Sequence, residues 1–357
     1  GDTLCFAGTG TTITQGETQT ISTVDSGTQV TLTTGLTNAR TGTGDVIGEV
    51  GNLSSNVKIV GTSTSVATYF CAYESSLVVL DNVEIQYFGS SATNKRGVEC
   101  LHTNTSSNSC TFINCAFRNV VNSNGFVGCN TSSSSFFYIN DNVLFTTANS
   151  GYLISGGFSG TPTFNFLRNL AINTLGNSIG IAITAITGDS GLLEDNIVSG
   201  YSIGLNISTP VVQNSVTTID GFKMHSNSVG VSTSSGQTKI INNCDIVSNN
   251  NGIGTNMTGD VTFNNCNIYG NGSSGISMSA ASNGICELFT LNNCGFRGRT
   301  SFNQPCAINI GTAHSSPSKT VLNSCTFGVT IAHTTADILA QAPFSGQLIL
   351  NSCTFAS

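Results

Sequence analysis

The chain has 357 residues, 38% of them hydrophobic and only 8% charged, with 40 Gly, no Trp and a net charge of −7. The acidic balance argues against a nucleic-acid partner, and no apolar run is long enough to cross a membrane as a helix. The length exceeds what one compact core supports well, whereas a stack of repeats grows along one axis without that limit.

Residues 1–50 are rich in Thr and Gly and hold short strand patterns such as TQTIST and TQVTLTT, which predict a small N-terminal β segment or entry rungs. From NVKIVGTST near residue 56 a six-letter unit takes over, and 51–357 reads as one repeating domain. Its copies are LDNVEI (80–85), FINCAF (112–117), NDNVLF (140–145), LRNLAI (167–172), LEDNIV (193–198), IDGFKM (219–224), INNCDI (241–246), FNNCNI (263–268), LNNCGF (291–296) and two of LNSCTF (322–327, 350–355). Successive copies lie 22 to 32 residues apart. Positions four and six share one face at strand period two. Position one is out of phase with them, and a turn at position three restores the phase. Asn, Asp and Gly tolerate the left-handed backbone such a turn needs.

Strand, one-residue turn and strand form one corner of a parallel β-helix. The spacing predicts an all-β, right-handed solenoid of about eleven or more rungs, with the hand taken from the general crossover rule. Asn82, Asn114, Asn142, Asn169, Asn243, Asn265 and Asn293 are expected to form the corner ladder. Cys115, Cys244, Cys266, Cys294, Cys325 and Cys353 take the inward slot that other copies fill with Val, Leu or Phe. A propeller or sandwich would need hairpin turns or blades of regular length, and neither pattern is visible.

The 13 Cys are an odd number without a CxxC pair, so they read as small buried hydrophobes with free thiols, not as a zinc site. Pairing among the seven outside the repeat slot stays open. Free thiols fit assembly in a reducing cytoplasm. No signal peptide is visible in GDTLCFAGTG. The chain stops two residues past a repeat, so its last rung is expected to be covered by a further segment or a partner.

Position two should face outward, and Arg168, Glu194 and Asp220 fall there on three consecutive rungs. Carboxylates one strand spacing apart, ~5 Å, approach the separation of a retaining glycosidase pair, with Arg168 orienting one of them. The plainer reading is a charged corner in which Arg168 neutralises Glu194. Lys223 is expected beside Asp245 as an exposed ion pair. Lys95, Arg96 and His102 in one long loop, and Arg297 and Arg299 in FRGRTSF, are candidates for an acidic glycan. Arg297 and Arg299 would equally pair with Glu287. No His has a ligand-spaced partner, so neither a metal nor another cofactor is expected. The six N-x-[ST] matches are what a chain rich in Asn, Ser and Thr produces by chance. No Thr-x-Thr column persists from rung to rung, which argues against an ice-binding face.

Rungs such as INNCDIVSNNNGI and FNNCNIYGNGSSGI resemble the pectin-lyase-like superfamily of parallel β-helices. That resemblance covers roughly 50–357 and speaks for the fold more than the activity. The NTD, DD and GHG segments of polygalacturonases and the RxPxxR of pectate lyases are absent, so no catalytic residue carries over. Low charge, abundant Ser, Thr, Asn and Gly, and unpaired Cys are similar in texture to β-helical fibre and spike proteins of bacteriophages and other viruses. The resemblance implies a homotrimer or larger virion assembly, built in the host cytoplasm, that presents loops to a host-surface glycan or receptor without catalysis. The alternatives are a polysaccharide-degrading spike using Glu194 and Asp220, and a cell-surface adhesin. The absence of Trp, with only 7 Tyr, weighs against a stacking-based sugar cleft and so against the polysaccharide-degrading alternative.

Overall fold

The computed structural model describes residues 1–9, 14–40, 48–62, 68–73, 76–89, 97–101, 109–119, 127–130, 136–146, 151–155, 163–176, 178–184, 191–208, 216–234, 238–254, 260–278, 288–297, 306–310, 319–328, 336–340 and 346–355. Among these residues every regular element is a strand. Three sheets of 11, 12 and 11 strands run the length of the molecule, and each strand pairs in parallel with its counterpart in the next rung. We call them the pre-corner sheet (Leu77–Asp81 through Gln347–Asn351), the post-corner sheet (Val57–Val60 through Thr354–Phe355) and the return sheet (Phe70–Tyr73 through Ala336–Ala340).

One left-handed residue joins each pre-corner strand to its post-corner strand. Asn82, Asn114, Asn243, Asn265 and Asn293 take this role at φ 52–55°, as do Asp195, Ser324 and Ser352 at 53° and Gly221 at 66°. In two rungs the corner falls one residue earlier than the sequence pattern suggested. Asp141 and Arg168 are the left-handed residues there, at φ 59° and 53°. Pairing of Ile139 with both Phe112 and Phe166 fixes this register. The repeats therefore run 139–144 and 166–171, and Asn142 and Asn169 are not corner residues. They occupy the inward position four together with Asn196, fully buried. Asp-Asn and Arg-Asn each offer a residue compatible with the turn, and the inward hydrogen bonds decide between them. Asn142 Nδ2 donates to Asn169 Oδ1 at 3.0 Å, and Asn169 Nδ2 donates to Asn196 Oδ1 at 2.9 Å. The same amides donate to the carbonyls of Phe112, Ile139 and Phe166 at 2.7–2.8 Å.

On either side of this ladder, position four is apolar or sulfur. Cys115, Cys244, Cys266, Cys294, Cys325 and Cys353 are free thiols, and each donates to backbone carbonyls, as Cys244 Sγ does to Asn242 O at 3.1 Å. Contact with the Cys266 thiol, and then burial, pushes the Cys294 thiol up to about 12. Such thiols stay protonated and serve as packing. Cys5 and Cys71 are also free, whereas Cys110 is disulfide-bonded. Positions one and six complete the core with Ile, Leu and Phe. Phe296, Phe327 and Phe355 stack nearly parallel at 5.0 and 4.8 Å. Each fully buried side chain of this kind contributes roughly 1.5–3 kcal/mol.

Between the post-corner and return strands lies a second buried ladder, Asn227, Asn249 and Asn271. Glycines 204, 230 and 252 face it. A Cβ on Gly204 or Gly252 would sit 2.8 Å from an Asn Nδ2, so a side chain there would displace the ladder.

The N-terminal residues form a separate layer. Strands β1 (Thr3–Phe6), β2 (Glu17–Ser26), β3 (Gln29–Leu32) and β4 (Val50–Asn52) make an antiparallel sheet of order β3-β2-β1-β4. It lies on the outer face of the post-corner sheet. Cys5, Ala7 and Leu53 pack there against Ala116, Phe145, Leu170 and Ile172. Position five, which faces outward, is accordingly apolar at Ala116, Val143, Leu170 and Ile197. It becomes Asp245, Asn267 and Thr326 further along. Gly51 touches this surface so closely that a Cβ would meet Val143 Cγ1 at 2.6 Å.

Candidate functional site

Three outer faces are available to a ligand, and the N-terminal layer occupies one of them. The outer face of the return sheet carries small or polar residues, among them Ala182, Asn206 and Ser232. The pre-corner sheet differs. Leu77, Val79, Phe136 and Leu192 point outward from its first five rungs and are 75, 59, 47 and 48% exposed. Half-buried Thr111, Ile113, Tyr138, Asn140, Asn165 and Leu167 fill the spaces between them.

This face ends at the corner residues that sequence reasoning singled out. Glu194 and Asp220 are in-register neighbours at position two, both half-buried. Asp220 Oδ1 accepts from Asn243 Nδ2 at 2.7 Å. Arg168, expected at position two, is at the corner instead and turns to the preceding rung. Its Nε and Nη2 donate to Asp141 Oδ1 and Oδ2, both at 2.7 Å. This hydrogen-bonded pairing raises the guanidinium pKa. The predicted contact of Arg168 with Glu194 side chain is replaced by this pair, because the register shift moves Arg168 into the column of Asp141 and Asp195. Asp195 lies against Gly221, where a Cβ would meet its Oδ1 at 2.2 Å. Two adjacent rungs therefore carry three carboxylates, Glu194, Asp195 and Asp220.

Beyond them Asn242, Asn264, Asn292, Asn323 and Asn351 form an amide ladder at position two, each Nδ2 donating to the previous Oδ1 at 2.7–2.8 Å. Lys223 is in register with Asp245, but its Nζ reaches Glu49 of the N-terminal layer at 3.3 Å. Arg297 stacks over the Tyr269 ring at 4.2 Å, away from the pre-corner face. Lys95, Arg96, His102, Arg299 and Glu287 lie outside the described residues. His225 is buried beside Gly8, and burial lowers its pKa to about 4. Among the described residues no group of three His, Cys, Asp or Glu could hold a metal ion, and no helix is long and apolar enough to cross a membrane.

The family described as a right handed beta helix region matches residues 169–327, from just after the Arg168 corner to three residues past the Ser324 corner. The chain is a right-handed parallel β-helix. Its architecture fits the pectin-lyase-like superfamily, as the Asn-turn rungs implied. No curated protein matches the chain.

Sequence reasoning missed the aromatic part of this β-helix face. A signal was present in FFYIN (136–140) and LVVLD (77–81), where apolar residues occupy both parities of a strand. A strand with one wet face alternates, so these two strands announce an outer face that is not simply solvated.

Proposed function

We propose that this β-helix is a non-catalytic structural and attachment module, a rigid rod of a viral fibre or spike that presents its outer surface to a host glycan or receptor. The observation that carries the reading is the exposed, largely apolar outer face of the pre-corner sheet over residues 77–194, held on a rigid scaffold. Monomeric proteins seldom expose large apolar residues in contiguous sets without a use for them. A homotrimer or larger virion assembly would multiply weak contacts by copy number. The free thiols suit assembly in a reducing cytoplasm, and the bonded Cys110 suits later passage into oxidising surroundings.

A depolymerising spike is the second reading, favoured by the in-register Glu194 and Asp220. Against it, Arg168 is committed to Asp141, and the carboxylates sit at an outer corner of the rod. The test is turnover: purified chain is incubated with surface polysaccharide of a candidate host, and new reducing ends and unsaturated products are followed. Binding without cleavage is expected. Cleavage abolished by Glu194→Gln or Asp220→Asn would overturn the attachment reading.

A further inference from the structure

We infer that the pre-corner face between Leu77 and Glu194 is a docking strip for a neutral oligosaccharide, with Phe136 and Tyr138 as its aromatic platform. This deepens the attachment reading and rests on it.

The shape of the strip comes first. Up to three outward residues per strand at ~3.3 Å per residue give a width of about 13 Å, and five rungs at ~4.8 Å give a length of about 19 Å. The product, about 250 Å², is roughly a third of the ~800 Å² per partner that a standard protein interface buries. A narrow, shallow strip of this size suits an extended chain of a few sugar rings better than a second folded subunit.

Chemistry comes next. Phe136 and Tyr138 stand two residues apart on one strand, so both rings leave the same face. Asn165 is in register between Tyr138 and Leu192 and places an amide in the middle of the strip. Asn140 Oδ1 accepts from the Leu167 N–H at 3.2 Å, which leaves its Nδ2 for a ligand hydroxyl. Apolar ring faces interleaved with amides match the alternation of C–H faces and hydroxyl edges on a pyranose.

Charge decides the class of sugar. Asp81 lies at one end, and Glu194, Asp195 and Asp220 crowd the other. Among the described residues of these rungs the cation at the corner edge is Arg168, and both carboxylate oxygens of Asp141 already engage it. An acidic glycan would meet repulsion that no other described side chain at this edge offsets, and so would a second copy of this acidic chain. The expectation of an acidic glycan built on loop cations does not transfer to this face.

The experiment is binding of the full chain to neutral hexose and N-acetylhexosamine oligosaccharides, beside uronic-acid oligosaccharides of matched length, read by saturation-transfer NMR and calorimetry. Neutral probes are expected to bind at least tenfold more tightly than acidic ones. Phe136→Ser and Tyr138→Ser are expected to weaken binding at least tenfold at unchanged Tm, while Val24→Ser on the exposed N-terminal hairpin has no effect. Undiminished glycan or cell binding by both aromatic variants would overturn this site and leave the attachment reading standing, and preference for the acidic probes would do the same. A mass increase in sedimentation that Tyr138→Ser abolishes would assign the face to a second copy and overturn the inference. Failure of the parent chain to bind either panel or whole cells would overturn both readings.

Discussion

Two outer faces of the same rod carry apolar residues over overlapping rungs, and they meet different fates. On the post-corner sheet Ala116, Phe145, Leu170 and Ile172 disappear beneath Cys5, Ala7 and Leu53. On the pre-corner sheet Leu77, Val79, Phe136 and Leu192 stay in contact with water. The chain supplies a cover for one face, and past that cover position five turns polar at Asp245 and Asn267. The outward apolar pattern thus tracks what lies on top of it. The uncovered strip then reads as a face adapted to a contact outside the fold.

The comparison can be broken most forcefully by placing a charge on each face. Leu170→Asp buries a carboxylate under the N-terminal layer and is expected to cost about 4 kcal/mol. Leu192→Asp on the bare strip should stay within about 0.5 kcal/mol. Denaturant titration of both variants checks this, and equal losses would mean that the two faces are equally covered.

A pH titration sharpens the covered side. His225 lies buried at the same interface, against the Gly8 backbone and beside Lys223, which Glu49 engages. Its pKa falls from 6.5 to about 4 because burial disfavours the charged ring. The unfolded chain takes up the proton first as pH falls, so the folded state loses stability between pH 6.5 and about 4 and regains it as pH rises. The loss from this group is about 3 kcal/mol at most. Chemical denaturation across that window should show the slope in the parent, and His225→Gln should remove this component. An identical slope in the variant would place His225 in solvent.

The smallest expected effect concerns the edge of the cover. Lys223→Ala removes the partly exposed pair with Glu49 and should cost under about 1 kcal/mol, with the loss shrinking further at high salt. A larger change in Tm would mean that this single pair pins the N-terminal layer.

The fold was legible in the sequence because its signal is repeated. One Asn corner is weak, but LNNCGF, LNSCTF and their relatives at intervals of 22 to 32 residues leave few alternatives. The errors fell where two turn-compatible residues were adjacent. In NDNVLF and LRNLAI the later Asn looked like the corner residue, yet buried position four claimed it and left Asp141 and Arg168 outside. The same slip misplaced Arg168 relative to Glu194, whereas Glu194 and Asp220 stand in register on adjacent rungs. The N-terminal layer's position could not be read, because short Thr-rich strands do not say what they pack on. The aromatic strip is hard to read in the sequence, because a strand that is apolar on both faces looks the same whether its outer face is covered or bare.

Hydroxyl-radical footprinting of the full chain tests the central claim, one covered face and one bare face on the same rod, most directly. Leu77, Phe136, Tyr138 and Leu192 should oxidise rapidly, while Phe145, Leu170 and Ile172 should be protected until the chain unfolds. Comparable oxidation of both sets in the native protein would contradict the account.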